Sequence, residues 1–245
     1  MHENATDFDV LFAQAKASDT EAKALETSHF RNDCLYIVER LQSNVHLMPG
    51  LVCFVLLTIQ QQFTWMERQV ADVAKNGMRS RFLFGWKPDG YAYAQANKQA
   101  LHKAARQAYQ GEISLADLIL EYLAVPGLGI VKASFLAQMS VGNGACLDTV
   151  NLQRLGMDQK AFVTPKGLKV ESIRKRIKTY QAVCDAHGDS AYWWDIWCDT
   201  LASRQTIDTG KRNAIGEPIL RRIAAFETGA HASLTHRLAV DGGIR

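Results

Sequence analysis

The run Leu51-Val52-Cys53-Phe54-Val55-Leu56-Leu57 has no polar position, and it constrains the fold more than any other stretch of the chain. Apolar residues continue beyond it at helical spacing through Ile59, Phe63, Met66 and Val70. The pattern predicts one long helix over residues 51–75, opened by the Pro49-Gly50 break and closed by Asn76-Gly77. A helix that is hydrophobic nearly all round belongs at the centre of a core rather than on a surface.

Further helical signals lie on both sides, and strand signals are nearly absent. Phe30, Cys34, Ile37, Val38 and Leu41 share one helical face, with Arg31, Asp33 and Glu39 on others. Residues 81–93 (RFLFGWKPDGYAY), rich in aromatics and glycine, are expected to form a loop. A polar, basic helix is expected over 94–109. Ser114-x-x-Asp117 has the form of a capping box that opens a helix through Ala124. Pro126, Gly127 and Gly129 force a tight turn before a helix running to about Val141. Short helices are expected around Leu152 and over 168–186, 190–202 and 217–226, with a loosely held tail from Gly229. The predicted fold class is all-α.

With 245 residues the chain has room for one large or two small domains around a substantial core. No window comes near the ~18 uninterrupted apolar residues of a membrane span. The acidic, polar start MHENATDFDV is unlike a secretory signal, so a cytoplasmic protein with no membrane partner is expected. The cysteines Cys34, Cys53, Cys146, Cys184 and Cys198 form no CxxC pair and show no metal-like spacing. Reduced, mostly buried thiols are expected, with no zinc site and no iron–sulfur cluster. The histidines make no HExxH or HxH pattern, and neither a Walker-type loop nor GxGxxG is present. A net charge of +3 says less about partners than the placement of the charges does.

Residues 122–156 (YLAVPGLGIVKASFLAQMSVGNGACLDTVNLQRLG) carry the functional signal. They describe a helix, a tight hairpin, a second helix, a short loop, and an acidic residue next to a helix start. In Val125-Pro126-Gly127-Leu128-Gly129, glycine permits positive φ and lets another backbone or a phosphate come close. Turn amides and a helix N-terminus together suit an anion, and Lys132 on the first turn adds a positive charge. Cys146-Leu147-Asp148-Thr149 follows, with Asp148 placed 19 residues beyond Gly129.

This hairpin, the spacing to Asp148-Thr149 and the trailing Asn151, Arg154 and Leu155 resemble the helix-hairpin-helix DNA glycosylase superfamily. The resemblance implies two helical lobes flanking a cleft. The hairpin-bearing lobe would span about 45–160, and 1–44 would join 161–245 in the second. It implies that Val125, Gly127 and Gly129 grip a DNA phosphate, and often a monovalent cation, through the hairpin backbone. Asp148 would lie in the cleft below a flipped-out base, with Thr149 and Asn151 on the DNA side. Upstream, Leu56-Leu57-Thr58-Ile59-Gln60-Gln61-Gln62 matches a family stretch whose glutamine fills the hole left by the flipped nucleotide, so Gln60 or Gln61 would inherit that role. Two departures stand out. The Schiff-base lysine of bifunctional members falls on Val131 here. Lys132 lies one step on, about 100° round the helix, and is expected to face elsewhere. The C-terminal cluster cysteines of one branch are also missing.

Residues 166–178 (KGLKVESIRKRIK) place Ile173 and Ile177 on an inward face and leave Lys166, Lys169, Arg174, Lys175 and Lys178 for solvent or DNA phosphates. Lys211-Arg212 and Arg221-Arg222 are weaker versions of the same signal. The run Tyr192-Trp193-Trp194-Asp195-Ile196-Trp197-Cys198 is expected to be aromatic core rather than a base-stacking platform.

Two chemistries fit an aspartate under a flipped base. One is excision, with Asp148 stabilising an oxocarbenium-like sugar and orienting water. The other is modification. The stretches GIVKASFLAQ, CLDTVNLQRLG and YWWDIWC resemble the phage α-glutamyl/putrescinyl-thymine pyrophosphorylase-like branch, the amino acid:DNA transferases. That resemblance implies an amino acid or polyamine co-substrate displacing pyrophosphate from a modified uracil. It also implies Asp148 as acid/base, Lys132 and the 166–178 helix as the charge for the leaving group, and a host cytoplasm as location. A non-catalytic module binding duplex DNA is the third possibility.

Overall fold

The computed structural model describes residues 34–59, 66–158, 160–164 and 167–196, and no strand occurs among them. The helices are α1 (Tyr36–Ser43), α2 (Leu47–Leu57), α3 (Met66–Asn76), α4 (Lys87–Ala96), α5 (Lys98–Tyr109), α6 (Leu115–Tyr122), α7 (Ile130–Val141), α8 (Thr149–Arg154) and α9 (Val170–His187). Residues 190–196 are helical as well. The all-α expectation holds for this part of the chain. Phe30, Gln60, Gln61, Lys166, Lys211, Arg212, Arg221, Arg222, Cys198 and the helix expected over 217–226 lie outside the described residues.

As its composition demands, α2 sits at the centre, with every residue from Leu47 to Leu57 buried. Helices α3, α4, α5 and α7 pack around it. The second central element is α7, which touches α1, α2, α5 and α6 and is buried without a break from Ala133 to Ser140. Its polar positions are served from inside the core. Ser140 Oγ shares a 2.8 Å hydrogen bond with the Tyr122 hydroxyl of α6. The capping box at Ser114 forms as the sequence predicts, with Ser114 Oγ accepting from the Asp117 N–H at 3.1 Å.

The central helix is not one long element. It starts earlier, at Leu47, and Pro49 falls at its third position, where the missing N–H is among the first-turn amides that have no intrahelical acceptor anyway. It stops at Leu57, where the Ile59 N–H tightens back onto the Leu56 carbonyl at 3.2 Å, and side chains reach the carbonyls around that end. Thr58 Oγ1 donates to the Val55 carbonyl at 2.6 Å, and Lys87 Nζ donates to the Ile59 carbonyl at 2.8 Å. Lys87 is buried, and that desolvation lowers its pKa, with the neighbouring Cys53 thiol acting the other way.

Residues 81–93 are not all loop: α4 occupies Lys87–Ala96, with Pro88 in its first turn. Gly90, which looks like a breaker, is a contact point instead. A Cβ there would fall 2.6 Å from the Pro126 carbonyl oxygen and 3.0 Å from Leu56 Cδ1. Glycine lets α4 press against both the central helix and the hairpin.

Candidate functional site

The hairpin forms where the sequence places it. After α6 ends at Tyr122, the Val125 N–H donates to the Tyr122 carbonyl and the Leu128 N–H to the Val125 carbonyl, both at 3.1 Å. Gly127 has φ of +87°, in the left-handed region. Pro126, Gly127 and Gly129 are exposed, while Val125, Leu128 and Ile130 are buried. Val125, expected at the DNA face, can therefore offer only backbone there, and its carbonyl already accepts from Leu128. The Pro126 carbonyl is turned towards Gly90 of α4, which removes a second oxygen from any cation bound outside the hairpin. Gly129 is the N-cap of α7. No side-chain cap closes that end, and a Cβ on Gly129 would meet nothing within 4 Å. An exposed, uncapped helix start is the geometry that accepts an anion.

Trp86, the N-cap of α4, packs directly against this turn. A Cβ on Gly127 would land 2.0 Å from its ring. Trp86 and Phe84 are both exposed large apolar side chains, so the outer face of the hairpin continues into an aromatic shoulder.

Lys132 does not face away. Its Nζ lies 3.5 Å from Cys146 Sγ and 5.2 Å from the centroid of the Phe135 ring, which brings the charge to the segment that carries Asp148. Burial pushes the Cys146 thiol up to about 11 against the pull of Lys132, with Asp148 adding to the rise. Asp148 itself is half-buried at the start of α8. Its Oδ1 accepts from the Asn151 N–H at 3.0 Å, and its carbonyl accepts from the Leu152 N–H at 2.9 Å. Thr149 is exposed beside it. Asn151, expected on the DNA side, is 2% exposed and braces the segment from behind. Its Nδ2 donates to the Cys146 carbonyl at 2.9 Å, while Oδ1 has no partner among the described residues.

Tyr180 of α9 clamps the same segment. Its hydroxyl donates to the Ala145 carbonyl at 2.8 Å and accepts from the Leu147 N–H at 2.9 Å. On the far side, the Ala145 N–H donates to Ser134 Oγ of α7 at 3.1 Å. Three elements thus fix the backbone of the three residues ahead of Asp148. Periodicity marks Tyr180 as an inward residue with Ile173, Ile177 and Cys184, but nothing local reveals what its hydroxyl holds. Trp86 on Gly127 and Cys146 beside Lys132 are equally non-local and carry no sequence signal of their own.

On α9, Ile177 is buried and Ile173 packs against the core, as expected, and Lys169, Lys175 and Lys178 are exposed. Arg174 is engaged elsewhere: its Nη2 pairs with Asp117 Oδ1 at 2.8 Å, tying α9 to the first turn of α6 instead of waiting for a phosphate. The Ser114 hydroxyl, and after it Arg174, hold the Asp117 carboxyl below its usual range. Trp193 and Trp194 are core, in line with expectation. Trp193 Nε1 donates to the Cys184 carbonyl at 3.1 Å, and Trp194 stacks on Phe135 at 6.1 Å between centroids.

Among the described residues no group of three or more His, Cys, Asp and Glu is placed to hold a metal, and no helix is long and apolar enough to cross a membrane. No protein-family model, no curated protein and no solved structure matches the chain. Fold and site together define a class. This is a helical protein that presents an uncapped helix N-terminus on a glycine hairpin and brings a lysine from that helix to an aspartate-bearing segment.

Proposed function

We propose that this chain is a DNA-base enzyme of the helix-hairpin-helix type, acting on a base flipped out of duplex DNA, and that its reaction is transfer of an amine. The observation that carries this is the reach of Lys132 from the hairpin helix to Cys146, two residues from Asp148. The hairpin end of α7 would hold a phosphate of the bound strand, and the lysines at 169, 175 and 178 add sequence-independent attraction. Gln60 or Gln61 would fill the gap left by the base. A two-lobed arrangement of residues 45–160 against 1–44 plus 161–245 belongs to the same proposal.

In the reaction, the amine nitrogen of an amino acid or polyamine attacks the 5-methylene carbon of a pyrophosphorylated hydroxymethyluracil. A C–N bond forms as the C–O bond breaks, pyrophosphate leaves, and one proton comes off the nitrogen. Asp148 takes that proton and Lys132 meets the charge on the departing oxygen. The alternative is a monofunctional glycosylase, in which the same carboxylate supports an oxocarbenium-like sugar.

Mass spectrometry of nucleosides tests this after incubation of the protein with DNA containing 5-pyrophosphorylated hydroxymethyluracil and pooled amino acids and polyamines. The expected result is a heavier thymidine derivative that disappears in Asp148→Asn. Release of free base with abasic sites would replace transfer by excision. Unchanged DNA, still bound by both wild type and Asp148→Asn, would leave a binding module.

A further inference from the structure

We propose that residues 78–86, which connect α3 to α4, form a stacking platform for an unpaired stretch of DNA strand. Three of the six exposed large apolar side chains among the described residues fall in these nine positions: Met78 (49%), Phe84 (51%) and Trp86 (39%). Arg79 and Arg81 are exposed between them. Neither Asp148 nor Lys132 belongs to this stretch, so the platform stands apart from the amine-transfer step. It rests on the reading above only in taking the strand to be DNA.

The stretch is pinned at three points. Ser80 is buried; its Oγ donates to Asp72 Oδ2 at 2.6 Å and accepts from the Phe82 N–H at 3.2 Å. The Ser80 carbonyl accepts from the Leu83 N–H at 3.2 Å, and Leu83 is buried in the core. Trp86 packs against the Gly127 turn. The exposed side chains between these anchors are held out on a fixed backbone, which lowers the ordering cost of binding.

The second, independent observation is a cation against one of the rings. Lys87 Nζ lies 4.7 Å from the centroid of the Phe84 ring. Lys87 is buried and Phe84 is half-exposed, so the charge covers the inner face of the ring and leaves the outer face open. A cation on one face draws on the ring's negative quadrupole, which makes the other face a better partner for the π-surface of a base. Arg81 makes a similar contact, with its Cζ 4.9 Å from the Phe82 centroid. Gly85, at φ of +62°, turns the chain between Phe84 and Trp86, and nothing lies within 4 Å of where its Cβ would be. The space over that turn is open.

Charge selects the ligand. Residues 75–89 carry four lysines and arginines and one acidic residue, Asp89. Exposed rings with arginines among them match a polyanion whose units each carry a flat π-face, and that is a single strand. In a duplex those faces are covered by stacking, so only an unpaired stretch can use the platform. Filling the hole left by a flipped base requires a duplex, and strand state therefore tells the two roles apart. An anionic bilayer also takes rings and arginines, but its apolar contacts reach about 5–10 Å into the headgroups. Met78, Phe84 and Trp86 each keep about half or more of their area against the protein.

Anisotropy titration of the full chain with a labelled oligo(dT) of about 12 nucleotides tests the assignment. An abasic strand of the same length, the oligo(dT)·oligo(dA) duplex, oligo(U) and phosphatidylserine vesicles are the comparisons. Oligo(dT) should bind about tenfold more tightly than the abasic strand, which has the phosphates without the bases. Phe84→Leu keeps an apolar side chain at a half-exposed position, and it should weaken oligo(dT) by about tenfold while leaving the abasic strand unchanged. Phe84→Tyr should bind as the wild type does. Arg79→Ser should lower the salt slope of oligo(dT) binding by about 0.7. Equal binding of oligo(dT) and the abasic strand, unchanged affinity in Phe84→Leu, tighter binding of oligo(U), or capture by the vesicles in place of oligo(dT) overturns the proposal. Binding of the duplex alone overturns the platform and leaves the DNA reading standing, whereas binding of no nucleic acid overturns both.

Discussion

Replacing Gly127 with alanine disturbs the hairpin in two ways that can be measured apart. The first is backbone. A φ of +87° costs an L-residue about 1–2 kcal/mol relative to glycine. The second is contact, because the new Cβ would lie 2.0 Å from Trp86 Cζ3 and 2.1 Å from Cε3, closer than any real approach. The indole must therefore leave. Trp86 is 39% exposed. Only the covered part of its roughly 150–250 Å² counts, which puts an upper bound of about 2–4 kcal/mol on the loss at ~25 cal/mol per Å². Partial reseating of the ring reduces this, so Gly127→Ala should destabilise by about 2–4 kcal/mol in all.

Urea unfolding followed by far-UV circular dichroism measures the total, and a double-mutant cycle separates its parts. In a Trp86→Ala background only the backbone cost remains, so Gly127→Ala should then cost about 1–2 kcal/mol, with a coupling of about 1–2 kcal/mol between the positions. Gly129→Ala is the control. Its φ of −94° suits any residue and nothing lies within 4 Å of its new Cβ, so the change should stay within about 1 kcal/mol. Equal costs for Gly127→Ala and Gly129→Ala would refute the contact, as would a Gly127→Ala cost that Trp86→Ala leaves untouched.

Tyr180→Phe should destabilise by about 1–3 kcal/mol, because it strands the Leu147 N–H and the Ala145 carbonyl in the core. Faster hydrogen exchange at the Leu147 amide would report it directly. Arg174→Ala should cost only about 0.2–1 kcal/mol, since the pair with Asp117 is about two-fifths exposed. The folded Asp117 carboxyl has a lowered pKa, so its contribution is present above the unfolded carboxylate range and lost as pH falls through the folded value. The gap between wild type and Arg174→Ala should therefore close in acid, as unfolding curves at neutral and low pH would register. If the chain binds DNA, Lys178→Ser should reduce the salt slope of duplex binding by about 1, measured by anisotropy over a salt series, while Gly129→Ala should weaken binding in a chain that still folds.

What was legible in the sequence is what depends on local pattern. The all-helical class, the buried helix at Leu51, the Ser114 box and the turn at Gly127 each follow from a few neighbouring residues. So do the ends of α7 and the inward stripe of α9. The misreadings have a common cause. Pro49, Pro88 and Gly90 look like breakers because local propensity penalises them in helix interiors. Two of these residues sit in first turns, where the penalty vanishes, and the third marks a close approach to Pro126 and Leu56 that no local window contains. Arg174 and Asn151 lie on the helices that the sequence pattern predicts. Their partners, Asp117 and the Cys146 carbonyl, decide their roles, and only tertiary structure supplies those partners.

Lys132 shows how far such reasoning about faces extends. An offset of about 100° from Val131 turns a side chain away only on a helix with one open face. But α7 has none beyond its first turn, since Ala133 to Ser140 are all buried among α1, α2, α5 and α6. Lys132 sits in that first turn, half-buried, at the edge of the enclosed stretch. Its methylene stem can pack along apolar surface while the ammonium group seeks polar company. The company within reach is the Phe135 ring, the Cys146 sulfur and the segment running to Asp148. The charge of α7 thus lies where its enclosed stretch begins, against the segment that leads to Asp148. For Lys132, the surroundings of α7 decide direction more than register does.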